Sequence, residues 1–568
     1  MKTLLKYLKP HLPLVLSCII CKTTASFTDL IIPRLLAVII DEDIPTGDIT
    51  RVVRTGSFML LFALLTLVFN ITGNRLSARV VAAFSKDLRH DLFVTTVRMD
   101  SASADRLGLS SITSRLTSDT YNVSAFLGRL HRMGLRAPMI LIGGIIITFT
   151  LDYRLALIFL LVLPLVFATV FIITKKSIPI YKEQQRTIDN LVRRVDETSS
   201  GIRVIKALSK VGYEKERFDE TSKKLADQEI KAGRLTSLTS PVNDLIFYAG
   251  FCIVVIVGAT IAASGEVEIS GTLLAFMTYF TMVLNSMLAM SRIFVQMSRA
   301  AASAARLEEI LLTDSELAIT DTPRIKDDPY IVFDNVSFSY NKRVNNVDSV
   351  SFTLGRGETL GIIGATGSGK STLIKLLLRL YDVDSGFVRI GGRDIRSIPR
   401  EELYSLFGVA FQSDFIMKGS VRDNVSFYRD ITDGEIVAAT RTAQAEPFIS
   451  ELENGLDHEI ATGGANVSGG QKQRLLISRA VAGDPEILIL DDSSSALDYK
   501  TDKELRRAIK RDVKTTTVIV SQRVASVKDA DKILVLDNGR LVGIGRHEEL
   551  IDSVPEYREI ALVQMEVK

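Results

Sequence analysis

Six apolar stretches of bilayer-spanning length occupy the first 310 or so of 568 residues: 13–39, 56–74, 135–151, 154–174, 245–263 and 271–290. A segment crossing a hydrocarbon core of about 30 Å must satisfy its own backbone hydrogen bonds, which restricts each stretch to a helix. The charges between them sort by side. Lys2, Lys6 and Lys9 precede the first stretch. The two long connections carry Arg79, Lys86, Arg89, Arg98, Arg106, Arg115, Arg129 and Arg132, then Lys175, Lys176, Lys182, Arg193, Arg194, Arg203, Lys206, Lys210 and Arg217. The alternate connections are short and acidic, with Asp41, Glu42, Asp43 and Asp48, then Asp152, then Glu266 and Glu268. The positive-inside rule places both termini and both long connections in the cytoplasm. The first stretch runs past twenty residues with no small-residue cleavage site, so it reads as a retained span rather than a leader.

The long connections keep helical periodicity, as in Leu88 to Val97 and Ile188 to Ala207, so the spans are expected to continue into the cytoplasm as extended helices. Within the spans, Lys22, Asp29, Asn70, Asp244 and Asn285 are polar at apparent membrane depth, which points to a water-lined cavity. Lys22 and Asp29 share a helix face but stand about 10 Å apart along the axis, too far to pair directly. Met277, Met282, Met287 and Met290 suit an adaptable apolar surface. The three cysteines, Cys18, Cys21 and Cys252, lie in apolar surroundings. They exclude a disulfide framework, and the lone Cys18/Cys21 pair falls short of a zinc site.

Residues 1–312 therefore read as an all-α six-helix transmembrane domain. The polar stretch 313–330 reads as a linker, and 331–568 as an α/β domain. In the last, short apolar strands at Thr359–Ile363, Glu486–Leu490, Thr517–Val520 and Ile533–Leu536 alternate with helical stretches. A formal charge of +3, from 69 basic and 66 acidic residues, is too balanced for a dedicated nucleic-acid binder.

The strand ETLGII is followed by Gly364-Ala365-Thr366-Gly367-Ser368-Gly369-Lys370-Ser371 and then an apolar helix, a P-loop in its required context. That pattern arises by chance roughly 0.02 times in a chain this long. Glycines let successive backbone N–H groups converge on phosphate oxygens, and the helix N-terminus adds its positive dipole. Lys370 reaches the β- and γ-phosphates, and Ser371 offers a hydroxyl to Mg²⁺. About 120 residues on, the strand Ile487–Leu490 ends in Asp491, placed to hold Mg²⁺ through its water shell.

Val467-Ser468-Gly469-Gly470-Gln471-Lys472-Gln473-Arg474 opens a helix between these two elements. This segment resembles the signature of ATP-binding-cassette (ABC) proteins, and the whole chain resembles an ABC exporter half-transporter with the P-loop cassette fold. The resemblance implies ATP and Mg²⁺ as cofactors, with contacts from Gly364, Thr366, Gly367, Ser368, Gly369, Lys370, Ser371 and Thr372. It implies that Tyr340 stacks on adenine and that Gln412 forms a glutamine loop touching Mg²⁺ beside Ser371 and Asp491. It further implies a D-loop at Ser495-Ala496-Leu497-Asp498. Pairing would be head to tail, so that Ser468, Gly469, Gly470 and Gln471 complete the ATP site of a second subunit. Coupling turns are expected near Asp100–Leu109 and Ser209–Arg217.

Two positions depart from the family pattern. Asp492 stands where an active cassette has the glutamate that polarises the attacking water, and Gln522 stands at the switch histidine. Losing a methylene draws the carboxylate back by about 1.5 Å, a displacement that costs on the order of 10²-fold in rate. Glutamine carries neither the imidazole's charge nor its proton relay. Together they resemble the degenerate-site subunit of bacterial heterodimeric multidrug exporters. The expectation is a plasma-membrane subunit that binds ATP, hydrolyses it poorly and pairs with a different half-transporter to move amphipathic drugs or lipids across the bilayer. An ATP-gated regulatory or channel-like subunit and a homodimeric lipid or peptide exporter stand as alternatives. A soluble ABC ATPase acting on nucleic acid is opposed by the six sided spans.

Overall fold

A computed structural model describes residues 2–263, 270–313, 317–412, 415–493 and 495–566. Glu266 and Glu268 of the third acidic connection lie outside these residues. The chain divides into two compact units. One comprises residues 1–97 and 110–312, the other 98–109 and 313–568.

Among the described residues, the first unit has six helices long and apolar enough to cross a membrane. The first is α1 (Leu12–Val38) and the second α2 (Ile49–Arg98). After the short helix α3 (Ser101–Leu107), which belongs to the other unit, the third span is built in pieces that include α4 (Thr120–Arg129) and α5 (Arg136–Leu151). Between them Leu130–Gly134 winds as a π-helical turn. The remaining spans are α6 (Tyr153–Ser200), the pair α7 (Val211–Ser237) and α8 (Thr239–Ala263), and α9 (Ser270–Leu311). At 1.5 Å per residue, the 50 residues of α2 extend about 75 Å, more than twice the hydrocarbon thickness. This span thus runs on unbroken well past the bilayer, as its periodicity implies. The second turn lies earlier in the chain than expected. Gly201 ends α6 and Ser209 adopts a left-handed backbone (φ 53°), so the turn occupies 201–210 while 211–217 already wind α7.

Lipid offers no hydrophobic drive between helices, so they associate through close packing and internal polar contacts. Gly143 and Gly144 of α5 supply the first: a Cβ at either would meet Leu30 Cδ1 or Val283 Cγ2 at 2.6 Å. Specific polar contacts supply the second. Lys22 donates to Asn70 Oδ1 (2.6 Å) and Asn74 Oδ1 (2.8 Å), and Arg136 donates to Asp29 (2.6 Å). Lys22 and Asp29 therefore each find a different partner, as their axial separation requires. With Asn285 these residues line a cavity of about 720 Å³. Asp244 is exposed on α8 and is absent from that wall; of the methionine run only Met282 reaches it. Buried Asp119 accepts from Arg306 Nε (2.7 Å) and from Ser303 Oγ (2.8 Å), tying the third span to α9.

The second unit is an α/β domain on two main sheets, beside which Gly419–Ser420 pairs with Glu459–Ile460. The antiparallel sheet runs in the order β2-β1-β4-β5, from β1 (Ile331–Phe338), β2 (Val347–Leu354), β4 (Ser385–Ile390) and β5 (Arg393–Asp394). The other sheet has β3 (Thr359–Gly364), β6 (Phe407–Ala410), β7 (Ile487–Asp491), β8 (Thr516–Val520), β9 (Lys532–Asp537) and β10 (Arg540–Gly545). Its order is β10-β9-β3-β8-β7-β6, parallel except for the β9/β10 hairpin. Every residue of β7 is buried, as a parallel strand covered on both faces demands. The register sets Val520 beside Ile362 on one side and beside Asp491 on the other. Three strands thereby end together.

Removing one member of the Asp119–Arg306 pair is expected to be asymmetric. Arg306→Ala strands a buried carboxylate and should cost about 3 kcal/mol, whereas Asp119→Ala leaves a half-exposed guanidinium to water and should cost about 1–2 kcal/mol. Thermal unfolding of the two purified variants in detergent, with the lower midpoint for Arg306→Ala, is the check.

Candidate functional site

The P-loop connects β3 to helix α10 (Lys370–Leu377). Its glycines are required by close approach. A Cβ on Gly364 would meet the Leu536 carbonyl oxygen at 2.2 Å, and Gly369 combines a φ of 99° with the Asn346 carbonyl 2.6 Å from any Cβ. Lys370 Nζ folds back onto the carbonyls of Gly364 and Ala365, at 2.8 Å each. Ser368 Oγ is buried without a partner, so the loop keeps an unsatisfied hydroxyl beside its converging amides.

Beyond the loop lies a cavity of about 230 Å³. Thr366, Gly367, Gly369, Lys370, Ser371 and Thr372 line one side; Gln412, Asp491, Asp492 and Gln522 face them. Ser371 Oγ donates to Asp491 Oδ1 at 3.4 Å, and Gln412 Nε2 approaches Asp492 Oδ2 at 3.5 Å. The hydroxyl, two carboxylates and an amide oxygen form a hard-oxygen donor set suited to Mg²⁺, and the loop amides with Lys370 suit a triphosphate. Burial pushes the Asp491 carboxyl above its ordinary range, opposed by the Ser371 hydrogen bond, and raises that of Asp492 against the pull of Arg523 and Lys370. Burial lowers the Lys370 ammonium, with Asp492 and Asp491 opposing. A cation beside the carboxylates and an anion beside the lysine would relieve these costs together.

Asp492 is held tightly at the backbone. It adopts φ 47°, its N–H donates to Val520 O (2.9 Å), and its carbonyl accepts from Gln473 Nε2 (3.4 Å). A short side chain on a fixed backbone cannot recover reach by local movement. The Gln522 loop is pinned from the C-terminal helix, where Gln564 donates to Gln522 O and accepts from Val524 N, both at 2.8 Å.

Tyr340 stands in an aromatic group, its ring edge-on to Phe338 (4.9 Å) and Tyr381 (5.2 Å), with Lys375 Nζ 5.4 Å from its centroid. The Tyr381 hydroxyl donates to Asp105 of α3, and Arg400 donates to the Arg98 carbonyl (3.1 Å). The first coupling turn is thus part of the second unit. Ser468, Gly469, Gly470 and Gln471 are not in the cavity wall. Ser468 and Gln471 form a capping box at the start of the helix Gly469–Val481, with Gln471 N–H to Ser468 Oγ at 3.3 Å and Ser468 N–H to Gln471 Oε1 at 2.8 Å. Asp498 caps the helix Tyr499–Asp512 through Thr501. Gln473 ties the two segments, its Oε1 accepting from Ala496 N–H at 2.8 Å. Asn346, Gln564 and Tyr381 escaped the sequence reading because each acts from a loop or helix outside any motif.

Comparison with known proteins agrees with this geometry. Residues 15–287 match the model of the ABC transporter transmembrane region, and residues 347–495 match that of the ABC transporter ATPase domain. The chain is 31% identical to the ABC transporter ATP-binding protein Rv1273c of Mycobacterium tuberculosis, over 98% of this chain and 97% of that one. It is also 31% identical to YfiB of Bacillus subtilis, over 99% and 98% of the two chains. Its fold superposes on a bacterial Atm1-family ABC exporter with ATP bound at a TM-score of 0.82, with 23% identity and coverage of 97% and 98%. Paired over nearly their whole length with such relatives, the six spans and the P-loop domain place this chain in the ABC transporter family, with the fold of an exporter.

Proposed function

We propose that this chain is the degenerate-site half of a heterodimeric exporter, binding ATP·Mg²⁺ at its own P-loop, hydrolysing it slowly and lending its signature to a competent site on a different chain. The observation that carries this is the pairing of Asp492 and Gln522 on the wall of one phosphate cavity. Both groups that would activate water are altered there, while Lys370, Ser371, Gln412 and Asp491 line the same cavity. The signature is unaltered and sits at an exposed helix start outside this cavity, where a second subunit can meet it. The transported substrate is amphipathic, consistent with a membrane cavity that mixes charged and apolar walls. Closure would reach the spans through α3, by way of the Tyr340, Tyr381 and Asp105 sequence of contacts.

The decisive measurement is ATPase activity of the purified chain with and without a half-transporter bearing glutamate and histidine at the two positions. Slow turnover alone and fast turnover in the mixture are expected; fast turnover by this chain alone overturns the heterodimer reading.

Restoring the missing groups should restore chemistry. Asp492→Glu with Gln522→His is expected to raise single-turnover hydrolysis at this site by about 10²-fold, with ATP affinity changed little.

Tyr381→Phe deletes the hydroxyl that meets Asp105 and keeps the ring beside Tyr340. Nucleotide binding should persist while substrate stimulation of the heterodimer's ATPase falls several-fold. Equal stimulation in wild type and variant removes this contact from the coupling path.

A further inference from the structure

The membrane cavity has a charge pattern that ATP chemistry leaves unused. Among the described residues of its wall stand four cations, Lys22, Arg129, Arg132 and Arg136, and one carboxylate, Asp29. Arg136 already engages Asp29 at 2.6 Å, leaving the other three without an acid. Lys22 is 2% exposed, and its ammonium is held only by the neutral side-chain oxygens of Asn70 and Asn74. Arg129 and Arg132 are exposed, and neither has a hydrogen-bond or ion-pair partner among the described residues.

Local backbone geometry adds a second observation. Arg132 lies within the π-helical turn Leu130–Gly134, and Arg129 immediately precedes it. Such turns are rare inside α-helices and are frequent at functional sites. Lys22, a cation at membrane depth without a counter-ion, is costly and persists where it faces a cavity or an anion, while Arg129 and Arg132 stand just before the apolar stretch 135–151, at the basic end of the same cavity. The rest of the wall includes Ile140, Met282 and Ala289, which suit an alkyl chain.

We infer that this cavity accepts amphipaths with one anionic head group, a phosphate, sulfate or carboxylate. Arg129 and Arg132 supply the exposed guanidinium donors, Lys22 sets the positive potential of the wall, and the apolar side chains receive the tail. This deepens the exporter reading by naming its substrate class, and it opposes the amphipathic cations that a multidrug resemblance would suggest.

The test is equilibrium binding of radiolabelled dodecyl phosphate and dodecyltrimethylammonium to the full chain in phosphatidylcholine nanodiscs, corrected for empty discs and measured without ATP. Dodecyl phosphate should bind at least about tenfold more tightly than the ammonium. Arg129→Gln with Arg132→Gln should erase that preference while leaving the thermal unfolding midpoint of the chain near that of wild type, as two exposed side chains imply. Lys22→Gln should weaken the phosphate probe in the same direction. Equal affinity for the two head groups, or a preference unchanged in the double arginine variant, overturns the inference. Discs containing phosphatidylglycerol distinguish the source: displacement of dodecyl phosphate assigns the anion to a lipid head group, and its retention assigns it to a free amphipath. No hydrolysis is read, so failure here leaves the reading of Asp492 and Gln522 intact, and the converse also holds.

Discussion

The parallel register of three strands determines everything the second unit does. With Val520 set between Ile362 and Asp491, the chain segments leaving β3, β8 and β7 emerge at one edge of the sheet. Ligands of parallel α/β sheets bind beyond the carboxyl ends of the strands, because loops there can converge without breaking the ladder. The P-loop, the Asp491-Asp492 pair and the Ser521-Gln522 segment are the three loops so delivered. A one-residue slip of β8 would carry Gln522 out of the cavity and turn the buried Val518 and Val520 to the wrong face.

The membrane unit obeys a different constraint. Polar groups withdrawn from water need partners at fixed places, and the first unit meets this by specific pairs: Asp119 with Arg306 and Ser303, Asp29 with Arg136, Lys22 with two asparagines one helical turn apart. The first two pairs cancel charge; the third satisfies hydrogen bonds and leaves a charge standing. That distinction separates groups that hold helices together from a group that shapes the field of a cavity.

Much of this was legible in the chain. Spanning helices announce themselves by length and by sided charge, since the bilayer permits no other backbone solution, and the four anticipated strands lie within one residue of their positions. The P-loop is readable because close approach to Leu536 and Asn346 demands glycine at fixed spacing. The antiparallel sheet β2-β1-β4-β5 was not anticipated, because β1 pairs with β4 across a long interval and its alternation is interrupted by bulges between Phe333 and Val336 and between Asp334 and Ser337. Asp244 looked like a cavity residue from depth alone. Depth does not say which way a helix face turns, and on α8 that residue faces outward. The turn between α6 and α7 lies earlier than the expected coupling segment Ser209–Arg217 for a similar reason. Gly201 and Ser209 break the helix through backbone conformation, whereas the charge pattern continues across the break.

Asp492 connects the two halves of the functional argument. Its carbonyl is bonded by Gln473 of the signature helix, and the same Gln473 holds Ala496 of the D-loop segment. The backbone that would present a catalytic carboxylate is therefore also the backbone that orders the surface a second subunit would meet. A shorter side chain at this position shortens the reach into the cavity while sparing those main-chain bonds, whereas loss of the backbone geometry would cost both. On the proposed reading, loss of hydrolysis would be confined to the side chains of residues 492 and 522, while the helix Gly469–Val481 keeps its capping box and its support. Such a separation of side-chain chemistry from main-chain architecture is what a subunit needs if it is to stop turning over ATP at its own site and still build the site of another chain.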